Sequence, residues 1–380
     1  MKIILAFDSF KNCLSSPEIC RIFKAAVLEF APEFEVVSVP LGDGGEGTAV
    51  AVTDACGGVM HDFEVTGPLQ KKVTARWGEL PDGSAVFEMA SASGIELISS
   101  AERNPMKATS FGTGELLRHI ICDRKIRKIT AGIGGSATVD GGVGMLQALG
   151  VRFFDDNGDE LPAPADGEDI SRICRIDTSA LDPEIFECQI KIASDVTNPL
   201  CGSNGAAYVF APQKGASPDT VEFLEKSLEN LGSVCVNSKL ADNFNSPGDG
   251  AAGGVGFALR TILKAKSGSG AELVLDQLKF DEVLDGADFV ITGEGRSDAQ
   301  TLCGKLPAVV AERAGKKGVP VILLSGALGE NSEALEERFA AVLSLSQGAV
   351  TLQEAIDSAP QNIRRMAKAI LNLLCNFGRR

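Results

Sequence analysis

The sequence predicts an α/β protein built from two α/β domains. One is a Rossmann-like parallel-sheet domain, and a second, mixed α/β domain is inserted into it. Three observations predict this. Short apolar runs ending in polar or glycine-rich turns alternate with helical stretches, the pattern of a mostly parallel sheet. The segment 62–90 breaks that rhythm. The closing strand–helix repeats resemble the opening ones, as though both chain ends built one domain.

The elements follow in order. Apolar runs at 3–7, 36–39, 126–131, 190–193, 289–291, 321–324 and 342–345 read as buried strands. Helical patterns lie between many of them, including 16–30 and 302–314. Ser16 before Pro17 and Glu18 predicts a helix start, with Ser16 as the cap. In 62–90, alternation through Phe63-Glu64-Val65, then 72–77, then 85–89, with Pro81-Asp82-Gly83 as a turn, predicts an antiparallel meander. The expected domains are 1–64 with 285–380, and 65–284 as the insert.

Composition narrows the function. The 380 residues carry 36 basic and 51 acidic side chains, a net charge of −15. Such a chain repels nucleic acid and anionic membranes, so neither is an expected partner. A small anionic substrate then has to meet local positive charge. No apolar run reaches the roughly 18–20 residues of a membrane span, and the short apolar start is interrupted by Asp8. The 10 Cys show no CxxC spacing, and reduced thiols in a cytoplasmic protein are expected. With only His61 and His119, histidine-based triads and His-rich metal sites are poor candidates.

Six segments carry polar chemistry at predicted strand ends or in glycine-rich turns. The loop Gly132-Ile133-Gly134-Gly135-Ser136-Ala137-Thr138 leads from a strand into a helix. There glycine admits close backbone approach, and free N–H groups suit a phosphate. The same loop fits GxGxxA, with Asp155 near a ribose-binding position, so a nicotinamide-dependent dehydrogenase stays open as an alternative. A second glycine run, 247–256, holds GxGxxG but follows no strand; close packing on another backbone explains it at least as well. Asp8-Ser9-Phe10-Lys11 and Asp43-Gly44-Gly45-Glu46 each follow a strand. Their acids suit Mg²⁺ or polyol hydroxyls, and Lys11 suits an anion. Asp195, after 190–193, is the leading acid for orienting a hydroxyl or carrying a metal, with Lys214 as a nearby cation. Arg296 sits in a glycine-flanked turn and is able to clamp a carboxylate or phosphate, unless Glu294 and Asp298 engage it and Lys305 instead. Together these loops fit phosphoryl transfer; a non-catalytic sugar-acid sensor using the same residues is a further alternative.

These strings, with Ser194-Asp195-Val196-Thr197-Asn198-Pro199-Leu200, Pro212-Gln213-Lys214-Gly215-Ala216 and Thr292-Gly293-Glu294-Gly295-Arg296, resemble the bacterial type 1 glycerate kinase family almost end to end. The resemblance implies two α/β domains with a cleft between them, one inserted into the other. It also implies ATP-dependent, Mg²⁺-assisted phosphorylation of D-glycerate, leaning to the 2-hydroxyl. Carried onto this chain, Asp195, Lys11 and Arg296 are the expected catalytic groups. Asp8, Ser9, Phe10, Asp43, Gly44, Gly45 and Glu46 are expected at the substrate. Gly132, Gly134, Gly135, Ser136, Thr138 and Lys214 are expected at ATP, and Asp195 and Asp43 at Mg²⁺. The chain departs from the family pattern at Asn12-Cys13, Gly42, Val139 and Asp249.

Overall fold

A computed structural model describes residues 1–10, 12–42 and 47–377. Eleven strands form its two main sheets: β1 Lys2–Phe7, β2 Glu35–Ser38, β3 Val59–Thr66, β4 Lys72–Glu79, β5 Ala85–Glu88, β6 Lys128–Gly132, β7 Gln189–Ala193, β8 Lys266–Gly268, β9 Phe289–Gly293, β10 Val321–Ser325 and β11 Ala341–Ser344. The chain divides into two compact units, 1–43 with 54–56 and 269–380, and 44–53 with 57–268. The sequence places these divisions near 64 and 284.

The first unit holds a five-stranded, wholly parallel sheet in the order β11-β10-β9-β1-β2. Its strands read as continuous apolar runs because both faces are covered. Ile3, Leu5, Phe7, Phe23, Ile291 and Ile363 are buried in one core. The strand order reverses between β1 and β9, which sit side by side with Phe7 opposite Gly293. In open parallel sheets that reversal opens a crevice beyond the strands' carboxyl ends. The helix Ser16–Phe30 is capped by Ser15, one residue before the expected cap. The Glu18 carboxylate accepts from both the N–H and the hydroxyl of Ser15. Ser16 is thereby free to bond elsewhere. Its hydroxyl donates to the Phe7 carbonyl at 2.6 Å and accepts from the Leu41 N–H at 2.8 Å, tying down the end of β1. The later helix begins at Leu306 rather than 302, because Asp298 caps a separate 3₁₀ turn, Ala299–Leu302.

The second unit holds a six-stranded mixed sheet in the order β8-β7-β6-β5-β4-β3. The expected meander is β3-β4-β5, antiparallel throughout. From β5 to β8 the pairing is parallel. Trp77, Phe87, Ile129, Met145, Phe153 and Phe257 are among its fully or nearly fully buried core. Glu88, Gly132 and Ala193 lie opposite one another in register. The turns that follow β5, β6 and β7 therefore start at one level.

The two glycine runs of this unit pack backbone against backbone. The Gly141 N–H donates to the Gly253 carbonyl at 3.0 Å. A Cβ on Gly253 would stand 2.0 Å from the Thr138 carbonyl oxygen, and Gly253 has φ +68°. The run 247–256 is thus a structural partner of the 132–142 loop. Asp249 is explained as well: it is buried, and both its oxygens accept from Arg260, at 2.6 and 2.8 Å.

Gly253→Ala combines left-handed backbone strain with a backbone clash, and should lower stability by about 2–4 kcal/mol. Gly83→Ala, in the β4–β5 turn at φ +77° with nothing near its would-be Cβ, should cost only about 1 kcal/mol. Urea unfolding of the two variants measures the difference.

Candidate functional site

In the second unit, the loop after β6 bends at Gly135, φ +71°, and re-enters the core at Ala137. Gly134 and Gly135 are exposed; Ser136 and Thr138 are buried. Beneath them lies Lys214, carried by the turn Pro212–Lys214 and 3% exposed. Its ammonium donates to the Ser136 hydroxyl at 2.8 Å and the Thr138 carbonyl at 2.7 Å. Lys214 is therefore not the solvated surface cation that the sequence also allowed. Burial pushes its pKa down to about 7, and the charge of Asp140 partly opposes this.

Asp140 is wholly buried. It accepts from the Ser110 N–H and hydroxyl at 2.7 and 2.6 Å, and from the N–H groups of Gly142 and Gly144. Burial raises its pKa, and these hydrogen bonds pull it back. Val139, the residue before Asp140, is buried among apolar side chains.

A cavity of about 380 Å³ opens beside this loop. Gly134, Gly135, Ser136, Lys214, Ser194 and Arg103 are among its lining residues. Arg103 was invisible as a site residue in the sequence. It is brought there by Gly215, φ +97°, whose would-be Cβ lies 2.3 Å from the Arg103 carbonyl oxygen. Its Nε is buried without a hydrogen-bond partner, and its only ion pair among the described residues is a 3.9 Å approach to Glu96. An anion entering the cavity would meet two cations, a hydroxyl and glycine backbone, the composition of an oxyanion site. Asp195 lies just past the end of β7, exposed, between Ser194 and Val196, which both line the cavity.

Glu88 was also missed. At the end of β5, its carboxylate accepts from the Ala49 N–H at 2.7 Å and the Gly47 N–H at 3.1 Å. It thereby fixes the chain immediately after 43–46. The available signal was an acid closing an otherwise apolar strand. Asp43, Gly44, Gly45 and Glu46 themselves, and Lys11, lie outside the described residues.

In the first unit, Asp8 and Glu294 follow the paired ends of β1 and β9, and the Asp8 N–H donates to the Gly293 carbonyl at 2.9 Å. Asp8 is nearly buried and accepts from the Ser9 N–H at 2.7 Å. Glu294 accepts from the hydroxyls of Thr301 at 2.6 Å and Ser297 at 3.0 Å, with the Lys305 ammonium 3.7 Å away. Arg296 is exposed and has no hydrogen-bond or ion-pair partner among the described residues. The acids that might have neutralised it are committed elsewhere: Glu294 to hydroxyls and Lys305, Asp298 to capping its turn through the Gln300 N–H. Phe10, expected at the substrate, buries its ring in the core.

The dinucleotide alternative fails on Asp155. The strand before it, Arg152–Phe154, pairs antiparallel with Arg175–Asp177 in a separate two-stranded sheet. One Asp155 oxygen accepts from the N–H groups of Asn157 and Asp159, and the other pairs with Arg172.

The family model for the glycerate kinase family matches residues 3–375. This chain belongs to the glycerate kinase family. It is 42% identical to a glycerate kinase of Bacillus cereus and 42% identical to the glycerate 2-kinase of Escherichia coli, each over 372 residues and 97% of both chains. A crystal structure assigned as glycerate kinase 2 from Salmonella typhimurium LT2 superposes with a TM-score of 0.88 at 41% identity, covering 99% of this chain and 98% of that one. The family's α/β architecture thus holds for this chain. Among the described residues, no helix is long and apolar enough to cross a membrane.

Lys214 supplies a stability test. Its folded pKa lies below the roughly 10.4 of an unfolded lysine, so between about pH 7 and 10 the unfolded chain binds more protons. Stability should then rise with pH across that window, by at most about 1.4 kcal/mol per pH unit from this group. Lys214→Met should lack the rise. Denaturant unfolding of both chains at pH 7, 8 and 9.5 reads it; parallel curves would mean the ammonium is not buried in this way.

Proposed function

We propose that this chain phosphorylates D-glycerate with ATP, assisted by Mg²⁺, and that the product is 2-phosphoglycerate. The observation that carries the reading is the glycine loop braced from beneath by Lys214 beside the cavity that Arg103 enters. Membership in the glycerate kinase family and the likeness to the E. coli glycerate 2-kinase support both the substrate and the 2-position.

In this mechanism, the backbone of Gly132, Gly134 and Gly135 and the hydroxyl of Ser136 hold phosphate oxygens of ATP. Arg103 and Lys214 neutralise them. Thr138 contributes its carbonyl to Lys214 rather than a hydroxyl to the nucleotide, so its part is to hold the loop. Asp195 accepts the proton of the attacking hydroxyl. Arg296 and Lys11 bind the glycerate carboxylate or the transferring phosphoryl, each able to form charge-assisted hydrogen bonds. Asp8, Ser9, Asp43 and Glu46, with the Gly44-Gly45 backbone, position the hydroxyls. Catalysis of this kind is positioning and charge stabilisation.

Among the described residues, no three His, Cys, Asp or Glu converge as a metal cage. Mg²⁺ is usually held by one or two carboxylates together with substrate phosphates. Asp43 would supply one carboxylate, and Asp195 a second if another group takes the proton; the ion would offset charge on the transferring group. The ten free thiols are consistent with work in the cytoplasm on small molecules.

Asp195→Asn should cut turnover by about 10²–10⁴-fold, the range for losing a general base, with the circular dichroism spectrum and unfolding midpoint unchanged. Coupled ADP release measures the rate. Phosphorus NMR of the wild-type product decides the position; a 3-phosphoglycerate signal would remove the 2-hydroxyl assignment, and turnover near wild type would remove Asp195.

A further inference from the structure

Lys214 is a cation in the wall of the cavity, and the group that keeps it charged has no place in the mechanism above. An ammonium carries three N–H donors. Two are engaged by the Ser136 hydroxyl and the Thr138 carbonyl, and the third has no partner among the described residues. Lys214 lines the cavity together with the exposed Gly134 and Gly135. One donor is therefore left for an oxygen of a bound phosphate. It serves that purpose best while the group is an ammonium, and burial favours the neutral amine.

The charged groups around Lys214 are few. Arg103 and Glu96 line the same cavity, and Asp195 follows Ser194 at its edge. The turn Ala251–Gly254 and the helix Ala206–Phe210 bring no charge. Asp140 is wholly buried, and its negative charge opposes the loss of the Lys214 proton. It forms no ion pair or hydrogen bond with Lys214 itself, because its oxygens are engaged elsewhere.

The partners of Asp140 favour its ionised form. Ser110 donates its N–H at 2.7 Å and its hydroxyl at 2.6 Å, and Gly142 and Gly144 donate N–H groups at 3.1 and 3.3 Å. The Ser110 oxygen accepts from the Met145 N–H at 2.9 Å, which leaves its proton for Asp140. A protonated Asp140 would face these donors with no acceptor for its own proton. The same bonds anchor the start of the helix Val143–Ala148, so a test has to separate charge from anchoring.

We propose that Asp140 is a positioning residue for phosphoryl transfer: its fixed negative charge holds Lys214 as a cation without pairing with it, so that one N–H of Lys214 stays available to the phosphates of the donor. The proposal rests on the reading of the chain as an ATP-dependent kinase and deepens the part played by its phosphate loop. A carboxylate in contact with Lys214 would take the third donor for itself. One engaged by Ser110 and two glycines supplies the charge and leaves the donor to the ligand.

The test measures ATP affinity by calorimetry, without glycerate, from about pH 6 to 9. Arg103 stays charged throughout, and the cavity lining holds no His among the described residues. The titration of ATP itself is common to all the chains compared. Wild-type affinity should fall as pH rises through about 7. In Asp140→Asn the fall should begin about one pH unit lower, the shift expected for losing a nearby opposite charge. At pH 8 this variant should then bind ATP about tenfold more weakly. Ser110→Ala loses two of the anchoring bonds and keeps the acid, so its profile should match the wild type even if its unfolding midpoint drops. Asp140→Ser, whose hydroxyl still offers an acceptor, is a second charge-removing variant with the same expected shift. In a Lys214→Met background, Asp140→Asn should change ATP affinity by less than about twofold.

A folded Asp140→Asn or Asp140→Ser with the wild-type profile would overturn the assignment. So would an equal shift in Ser110→Ala, an equal loss in the Lys214→Met background, or a wild type that binds no ATP. Turnover of glycerate without the shift sinks the role of Asp140 alone. The shift without any turnover of glycerate sinks the kinase reading alone.

Discussion

The chemistry of the second unit depends on one constraint, the direct packing of two glycine runs. Gly253 against Thr138, and Gly254 against Gly141, leave no room for a Cβ on either glycine. Because the 247–256 run occupies the inner side of the loop after β6, the outer side at Gly134 and Gly135 faces solvent. Side chains anywhere along this contact would separate the loops and lower the density of the core beneath. Glycine is thus required twice for different reasons: inside to let two backbones touch, and outside to let a ligand approach.

Lys214 completes that arrangement. The loop carbonyl at Thr138 and the hydroxyl at Ser136 point inward, where water does not reach them. An apolar residue in place of Lys214 would leave both without a donor. A charged lysine satisfies both but is costly to bury, since the nearest opposite charge is Asp140, itself engaged by Ser110 and two backbone N–H groups. The ammonium is therefore held in a state that an incoming anion would stabilise. In a chain of net charge −15, attraction of a polyanion cannot come from the general field. It has to come from cations placed at the cavity itself, Lys214 below and Arg103 at the side.

Much of this was legible in the sequence, and the gaps have physical causes. Strand ends were readable because buried parallel strands are continuous apolar runs, and 3–7, 190–193 and 289–291 stop where polar residues begin. The meander was readable from period-two alternation and the Pro81-Asp82-Gly83 turn. Ser15 was overlooked because Ser16, the residue before the proline, looked the better cap; only the Phe7 carbonyl and Leu41 N–H, remote in sequence, explain why Ser16 is used elsewhere. Arg103 is placed by the close approach of Gly215, more than a hundred residues on, so no local pattern marks it; Glu88 had only the faint signal of an acid closing an apolar strand, because the N–H groups it accepts from lie about forty residues earlier. Asp155 shows the reverse error. Its spacing suggested a ribose partner, yet the strand carrying it left the main sheet, and no local signal reports which sheet a three-residue strand joins.

The register of each sheet then accounts for why these groups act from fixed positions. Phe7 opposite Gly293 sets Asp8 and Glu294 at one height on the first sheet. Glu88 opposite Gly132, and Gly132 opposite Ala193, do the same for the second. A slip of one residue in either ladder would invert the faces of the whole strand. In β7 that slip would exchange the buried Ile190 and Ile192 with the exposed Gln189 and Lys191, whereas in β1, buried on both faces, it is the close packing of Ile3 to Phe7 that resists it. The polar residues beyond the strand ends thus inherit their placement from core packing. Arg296 remains exposed on a short segment that is itself fixed by pairing to Ala327–Leu328.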